Sequence, residues 1–420
     1  VSFAAVHATD LSRVVSTFAE GGDRFSASID LGLERTQRLE SIGRERHTGP
    51  PDSTLEVAPE LRYASVDYRL NLDLHIGLWH DLEFHYGIPL IFARTEEWWL
   101  SSLTTPSRSA VLNSCVRADG SLVNSNCSTT GVGAVPMFSA PIATTNGAPQ
   151  VFRGGFGNMH FGLSWAPYSH VRDGVWVVGL EYEAPTADRL DPTDPADDAF
   201  HGAIGDRIHR YQLWTAFSRR INSITPYAKI DWTIPYRGPG WYSNCDHPDP
   251  TLMGRPANCN STAWNRDVTG DLPPYTAEIT AGAELVVLDQ PAQHERLTID
   301  ARAHIAYVSS GRYYNELSGL TKKLMYTGDY GQLGGTVGIQ WSILENLQLR
   351  ARVTLSHESD RVLSNEPPGQ DLNNNGVIDY QTNQAEVNPN FDYRYDMVAR
   401  HFYATAVYVS GVQVSVSYHY

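Results

Sequence analysis

The stretch YRLNLDLHIGLWHDLEFHYGIPLIF (residues 68–92) alternates almost without a break. Leu70, Leu72, Leu74, Ile76 and Leu78 take one face, and Arg69, Asn71, Asp73, His75 and Gly77 take the other. Leu82, Phe84, Tyr86, Ile88, Leu90 and Phe92 then repeat the apolar face. A period of two marks a strand with two unlike faces, and only Trp79 to Asp81 part the two runs, so they form a tight hairpin.

The pattern continues in both directions. Upstream, Phe25, Ala27, Ile29, Leu31 and Leu33 oppose Ser26, Ser28, Asp30, Gly32 and Glu34. Downstream it recurs over 159–165, 176–184, 211–217, 230–236, 279–287, 297–307, 333–341, 347–355 and 402–420, which makes twelve strands. Short links near 79–81, 168–174, 220–225, 289–295 and 343–346 alternate with long ones near 41–56, 95–150, 186–207, 238–273, 312–328 and 359–395. A soluble all-β sandwich has no reason to gather its long loops at one end. The expected fold is all-β: a closed antiparallel transmembrane β-barrel of about twelve strands with short periplasmic turns and long extracellular loops. Closure pairs every backbone group, as a membrane demands.

Composition agrees. Of 420 residues 41% are apolar and 11% aromatic, and no run approaches 18 apolar residues, so no helical span is expected. Trp79, Trp165, Trp341, Tyr418 and Tyr420 fall beside short turns, and Trp98, Trp99, Tyr236, Trp241 and Tyr242 fall where strands enter long loops, as interfacial girdles would. Lys plus Arg is 32 against 47 Asp plus Glu, a net charge of -15 that argues against nucleic acid as partner. No leader opens the chain, so Val1 reads as a mature N-terminus. Residues 1–22 form a separate element, in which TDLSRVVSTFAE (9–20) has helical spacing and is expected to be a short helix or lumen plug before a barrel of residues 23–420.

The cysteines form two close pairs, Cys115 with Cys127 and Cys245 with Cys259, each in a polar loop. Local disulfides of an oxidising compartment are expected. Zinc is the rival, with no CxxC and only His247 nearby to serve it.

Strand parity assigns the inward face. Its ionisable residues are Asp30, Glu34, Arg69, Asp73, His75, Glu83, His85, His160, Glu181, Glu183, Lys229, Asp231, Glu278, Glu284, Asp300, Arg302, His304, Arg350 and Arg352. Both signs interleave. Such a set either forms a charge-paired network that stiffens the barrel or lines a polar path for a small solute.

DLNNNGVIDYQT (371–382) spaces oxygen donors as a calcium loop does. Asp371, Asn373, Asn375, the Val377 carbonyl and Asp379 occupy positions one, three, five, seven and nine, with Gly376 at the turn. Thr382 stands where a bidentate Glu would close the set, so a weak Ca2+ site is expected, with an ordinary Asn-Gly turn as the plain reading. No enzyme is expected: GxSxG and HExxH are absent, and His357 beside Ser356, Glu358 and Asp360 is the nearest approach to a catalytic group.

RGGFGNMHFGLSWAP with VWVVGLEYEAPTAD (Arg153 to Asp188) resembles a segment of bacterial outer-membrane transporter barrels of the phenol meta-pathway type and, more distantly, of FadL fatty-acid channels. The hairpin GLWHDLEFHYGIPL (Gly77 to Leu90) resembles that family's repeated hairpin, and the closing Tyr418, His419 and Tyr420 resemble the C-terminal signal for barrel assembly. The resemblance implies a Gram-negative outer membrane, contact with its lipid and lipopolysaccharide, and passive passage of a small solute. The alternative from the loops is a plugged surface barrel whose stapled loops contact protein partners.

Overall fold

The computed structural model describes residues 9, 27–48, 54–79, 81–106, 109–113, 115–116, 122–123, 135–136, 138, 150–167, 174–197, 201–247, 256–344, 346–379 and 382–420. Segment 1–22, apart from Thr9, and Cys127 therefore lie outside the described residues, so the expected N-terminal element and the Cys115–Cys127 pair do too.

Twelve antiparallel strands close into one barrel. They are β1 Ala27–His47, β2 Leu55–Trp79, β3 Leu82–Leu100, β4 Met159–Trp165, β5 Gly174–Ala184 and β6 Ile208–Arg219. The second half comprises β7 Ile224–Arg237, β8 Thr276–Gln290, β9 Glu295–Val308, β10 Tyr330–Ser342, β11 Leu347–Glu358 and β12 Phe402–His419. Each strand pairs with its neighbour in the chain, and β1 closes the ring on β12 from Ser28 opposite His419 to Arg44 opposite Phe402. Among the described residues no helix is long and apolar enough to cross a membrane.

The two faces separate as the alternation requires. Leu33, Leu213, Ile305, Val337 and Leu355 on the outside are each more than half exposed, whereas Ser28, Ser415 and Ser417 on the inside are buried. Apolar side chains exposed on every strand make a belt whose solvent is lipid, not water. Trp165, Trp341, Tyr236, Tyr418 and Tyr420 are exposed at the ends of that belt.

The end carrying the long links departs from the expectation. Residues 41–56 are mostly strand, because β1 and β2 run on together until His47 faces Leu55, with Arg46 and Glu56 paired at 2.7 Å. Charged residues that leave the bilayer lose the apolar alternation but keep the ladder. A bulge in β3 at Phe92 shifts parity, since Arg69 pairs with Ile91 while Tyr68 pairs with Ala93. Beyond it Arg94, Glu96, Trp98 and Leu100 turn inward. Trp98 is thereby fully buried instead of standing in a girdle, and Tyr242 is likewise buried, within a loop.

The loops fold back over the bore. Ile42, Leu61, Tyr63 and Trp98 from β1–β3 and Phe402, Ala404 and Val407 from β12 share one buried cluster with Leu317, Leu320, Met325, Leu363 and Tyr395 of the loops. Asn244 holds Leu324 through both its amide atoms, at 2.8 and 3.0 Å, and Lys323 donates to the Asn390 carbonyl at 2.7 Å. The described parts of loops 238–275, 309–329 and 359–401 are thus knitted into one cap.

Candidate functional site

The inward residues of β1–β5 form a belt of imidazoles and carboxylates near the turn end. His75 lies 2.8 Å from Glu83 through Nδ1 and 3.4 Å from Asp30 through Nε2. His85 meets Glu181 at 3.3 Å and His160 meets Asp73 at 3.0 Å. The rings of His75 and His85 are 5.9 Å apart. Register produces these meetings: His75 faces His85 across β2 and β3, and Gly87 faces His160 across β3 and β4. Glycine matters at Gly87, where a Cβ would sit 2.2 Å from both Asp73 Oδ1 and His160 Nε2. Any other residue there would displace the pair.

Fixed cations bound this belt on either side. Arg350 reaches Asp30 at 3.6 Å, and the Ser417 hydroxyl donates to the same carboxylate. Arg210 pairs with Glu183 at 2.8 Å and also with Asp206. Glu34 stands opposite Arg69 in register and accepts from Thr36 at 3.1 Å, and Arg94 grips Asp67 through two bonds of 2.8 Å.

The far wall is mixed. Lys229 lies 3.7 Å from Asp231 and over the Trp214 ring at 5.2 Å, and Asp231 faces Glu278 in register. Tyr227 donates to Asp300, with Arg302 at 3.9 Å, and His304 packs over Gly334. Glu284, Asp300, Arg350 and Arg352 line a small cavity with Thr298, Gly338 and Gln340. Every inward residue expected from parity thus shares one face of the sheet.

A second ionic cluster lies under the cap. Arg38 holds Glu358 through two bonds of 2.8 Å and Glu316 at 3.1 Å, while Arg361 bonds Glu358 at 2.7 Å and also Glu316. Glu40 is fully buried between them, 3.8 Å from Arg38 and 3.7 Å from Arg361. Arg38 and Glu40 continue the parity of Asp30 and Glu34, so that half was legible. Glu316 belongs to a loop and carried no sequence signal.

In the loop, Asp371 accepts from the Asn375 and Gly376 N–H groups at 3.2 and 2.7 Å, Asn373 from Asn375 N–H at 3.0 Å, and Asn375 from Val377 N–H at 2.8 Å. Asp379 accepts from the Asn375 amide at 3.2 Å. Buried Glu386 takes the Leu372 and Asp379 N–H groups and the Asn383 amide, an anchor that sequence spacing missed. Among the described residues no three His, Cys, Asp or Glu side chains converge as a metal-binding group. Cys245 and Cys259 are bonded.

Strand parity also splits the only group that hinted at catalysis. His357 faces outward against Tyr408, its Nδ1 2.9 Å from the Val407 carbonyl, whereas Ser356 and Glu358 lie buried on the inner face.

No protein-family model matches the sequence, and no curated protein matches it. Among solved structures the chain is similar to an outer-membrane channel from Pseudomonas putida F1 at 9% identity, covering 96% of this chain and 100% of that one, with a TM-score of 0.41. A FadL homologue from Pseudomonas aeruginosa gives 10% identity, 96% and 91% coverage and a TM-score of 0.36. The outer-membrane protease OmpT of Escherichia coli gives 8%, 96%, 100% and 0.29.

Proposed function

We propose that the chain is a channel of the bacterial outer membrane that passes or binds a small solute by passive diffusion, without catalysis. The observation that carries this reading is the wetted inner wall. Asp73, His75, His160 and Glu181 keep 27 to 29% of their side-chain surface accessible inside a barrel whose outside is apolar. Paired charges that remain accessible can exchange their partners for a passing polar group. The apolar belt faces membrane lipid, the long links lie outside the cell near lipopolysaccharide, and the short turns lie in the periplasm. Single-channel recording in planar bilayers tests it: discrete conductance steps are expected, and a barrel silent at every voltage and with every solute tried overturns it.

A capped surface component is the second reading, favoured by the knitted loops and the buried Glu316 cluster, with protein partners at the outer loops. We also propose that Asp371, Asn373, Asn375, the Val377 carbonyl and Asp379 hold Ca2+ at about 0.1 to 1 mM, as weak extracellular sites do. Chelator should then speed proteolysis near Asn374, and equal cleavage with and without calcium removes the site.

A further inference from the structure

We infer that the His75, His85 and His160 belt is a proton-controlled cation filter, so that the channel favours small cations at neutral pH and loses most of that preference in acid. This rests on the channel reading.

Charge counting along the wall carries the argument. The belt holds five carboxylates: Asp30, Asp73, Glu83, Glu181 and Glu183. Two fixed cations face two of them, Arg350 at Asp30 and Arg210 at Glu183, and Arg210 is shared with Asp206. Each of the other three meets an imidazole: Glu83 with His75, Glu181 with His85, and Asp73 with His160. With Asp206 included, the wall carries four negative charges when the imidazoles are neutral and one when all three are protonated. Unperturbed imidazole changes charge near pH 6.5. The belt is therefore a device whose strength of cation preference the pH of the surroundings can set.

The neighbouring elements do not mask this change. Toward the loop end Glu34 faces Arg69 and Asp67 is bound by Arg94, while under the cap Glu40, Glu316 and Glu358 outnumber Arg38 and Arg361 by one. Across the bore Lys229, Arg302 and Arg352 face Asp231, Glu278, Glu284 and Asp300, with His304 as one further imidazole. Each of those two groups carries one excess negative charge, so the imidazole belt makes the largest pH-dependent change in the charge of the bore. A bore walled by low-dielectric protein focuses this field on ions in transit.

The experiment measures reversal potential under a potassium chloride gradient with purified full-length protein in planar bilayers. Cation over anion permeability is expected to be several-fold at pH 8 and to fall several-fold toward one at pH 5. His75→Gln with His85→Gln and His160→Gln should hold the pH 8 selectivity down to pH 5, and His304→Gln alone should leave the titration in place. Conduction whose selectivity is the same at both pH values, or a triple variant whose selectivity changes with pH as much as the parent's, overturns the filter and leaves the channel intact. Absence of any conductance overturns both. Should the triple variant fail to fold, His160→Gln alone should shrink the pH-dependent change by about a third, and an unchanged span overturns the filter.

Discussion

Arg312 and Glu366 show how single residues hold the cap. Both side chains are buried, the guanidinium grips the carboxylate with two N–H groups, one bond being 2.7 Å, and it donates as well to the Val268 and Gly270 carbonyls at 3.0 and 2.9 Å. Removing one partner strands the other charge, so Arg312→Ala should weaken the cap by about 3 to 5 kcal/mol. Limited proteolysis of loops 238–275 and 359–401 should accelerate while the barrel keeps its heat-dependent gel mobility. Two nearby carboxyls add a pH dependence. Burial pushes Asp271 up to about 8, with Asp206 adding repulsion, and burial likewise pushes Asp396 up to about 8. A carboxyl with a raised value in the folded state gives stability that is complete below its ordinary range near pH 4 and is lost as pH rises through 8. The cap should therefore be cleaved faster at pH 9 than at pH 6, and Asp271→Asn should reduce the difference, with Asp396 carrying the rest; a rate that is level across that window counts against the account.

At the scale of elements, the segment Ser309–Asp329 is the part that sequence could least foresee. It leaves the wall between β9 and β10, yet it is anchored on β1–β3, with three strands between on one side of the ring and six on the other. The Trp98 indole donates to the Glu316 carbonyl at 2.7 Å, Tyr314 donates to Glu96 at 3.0 Å, and Arg38 holds Glu316. The segment thus spans the bore as a strap. Glu316→Gln should loosen it without stranding a charge, because Glu40 and Glu358 still balance Arg38 and Arg361. More frequent or larger openings in bilayer recordings are expected, and unchanged records would mean that the strap does not gate. Strand existence and inward parity were legible because lipid and lumen impose opposite chemistry on alternate residues. The twelve strands and the imidazole belt follow from that. Contacts such as Trp98 with Glu316 were not legible, since they depend on a one-residue bulge at Phe92 and on a loop crossing the barrel, neither of which leaves a periodic trace. The spacing of oxygen donors at 371–379 was visible, but Glu386, which anchors that loop, lies beyond any spacing rule.

The whole molecule is a contrast between two solvents on either side of one sheet, and neighbouring residues of β6 allow that contrast to be measured. Leu213 is 57% exposed on the outer face near the middle of the strand. Gln212, one residue earlier, points inward and donates to Asp231 at 3.0 Å. Arginine in the lipid belt must either drag water in or snorkel away, which costs about 2 to 4 kcal/mol near the midplane. The same side chain at 212 enters a wetted wall beside Asp231 and opposite Glu181, so its charge finds carboxylates. Leu213→Arg should therefore lower stability by that amount in urea unfolding from lipid bilayers, read by tryptophan fluorescence, while Gln212→Arg stays close to the parent. The inner variant should in addition shift ion selectivity toward anions, because it adds a fixed cation next to the belt of His75, His85 and His160. Equal losses at both positions would mean that the two faces see the same medium, which no membrane barrel with a wetted bore can show.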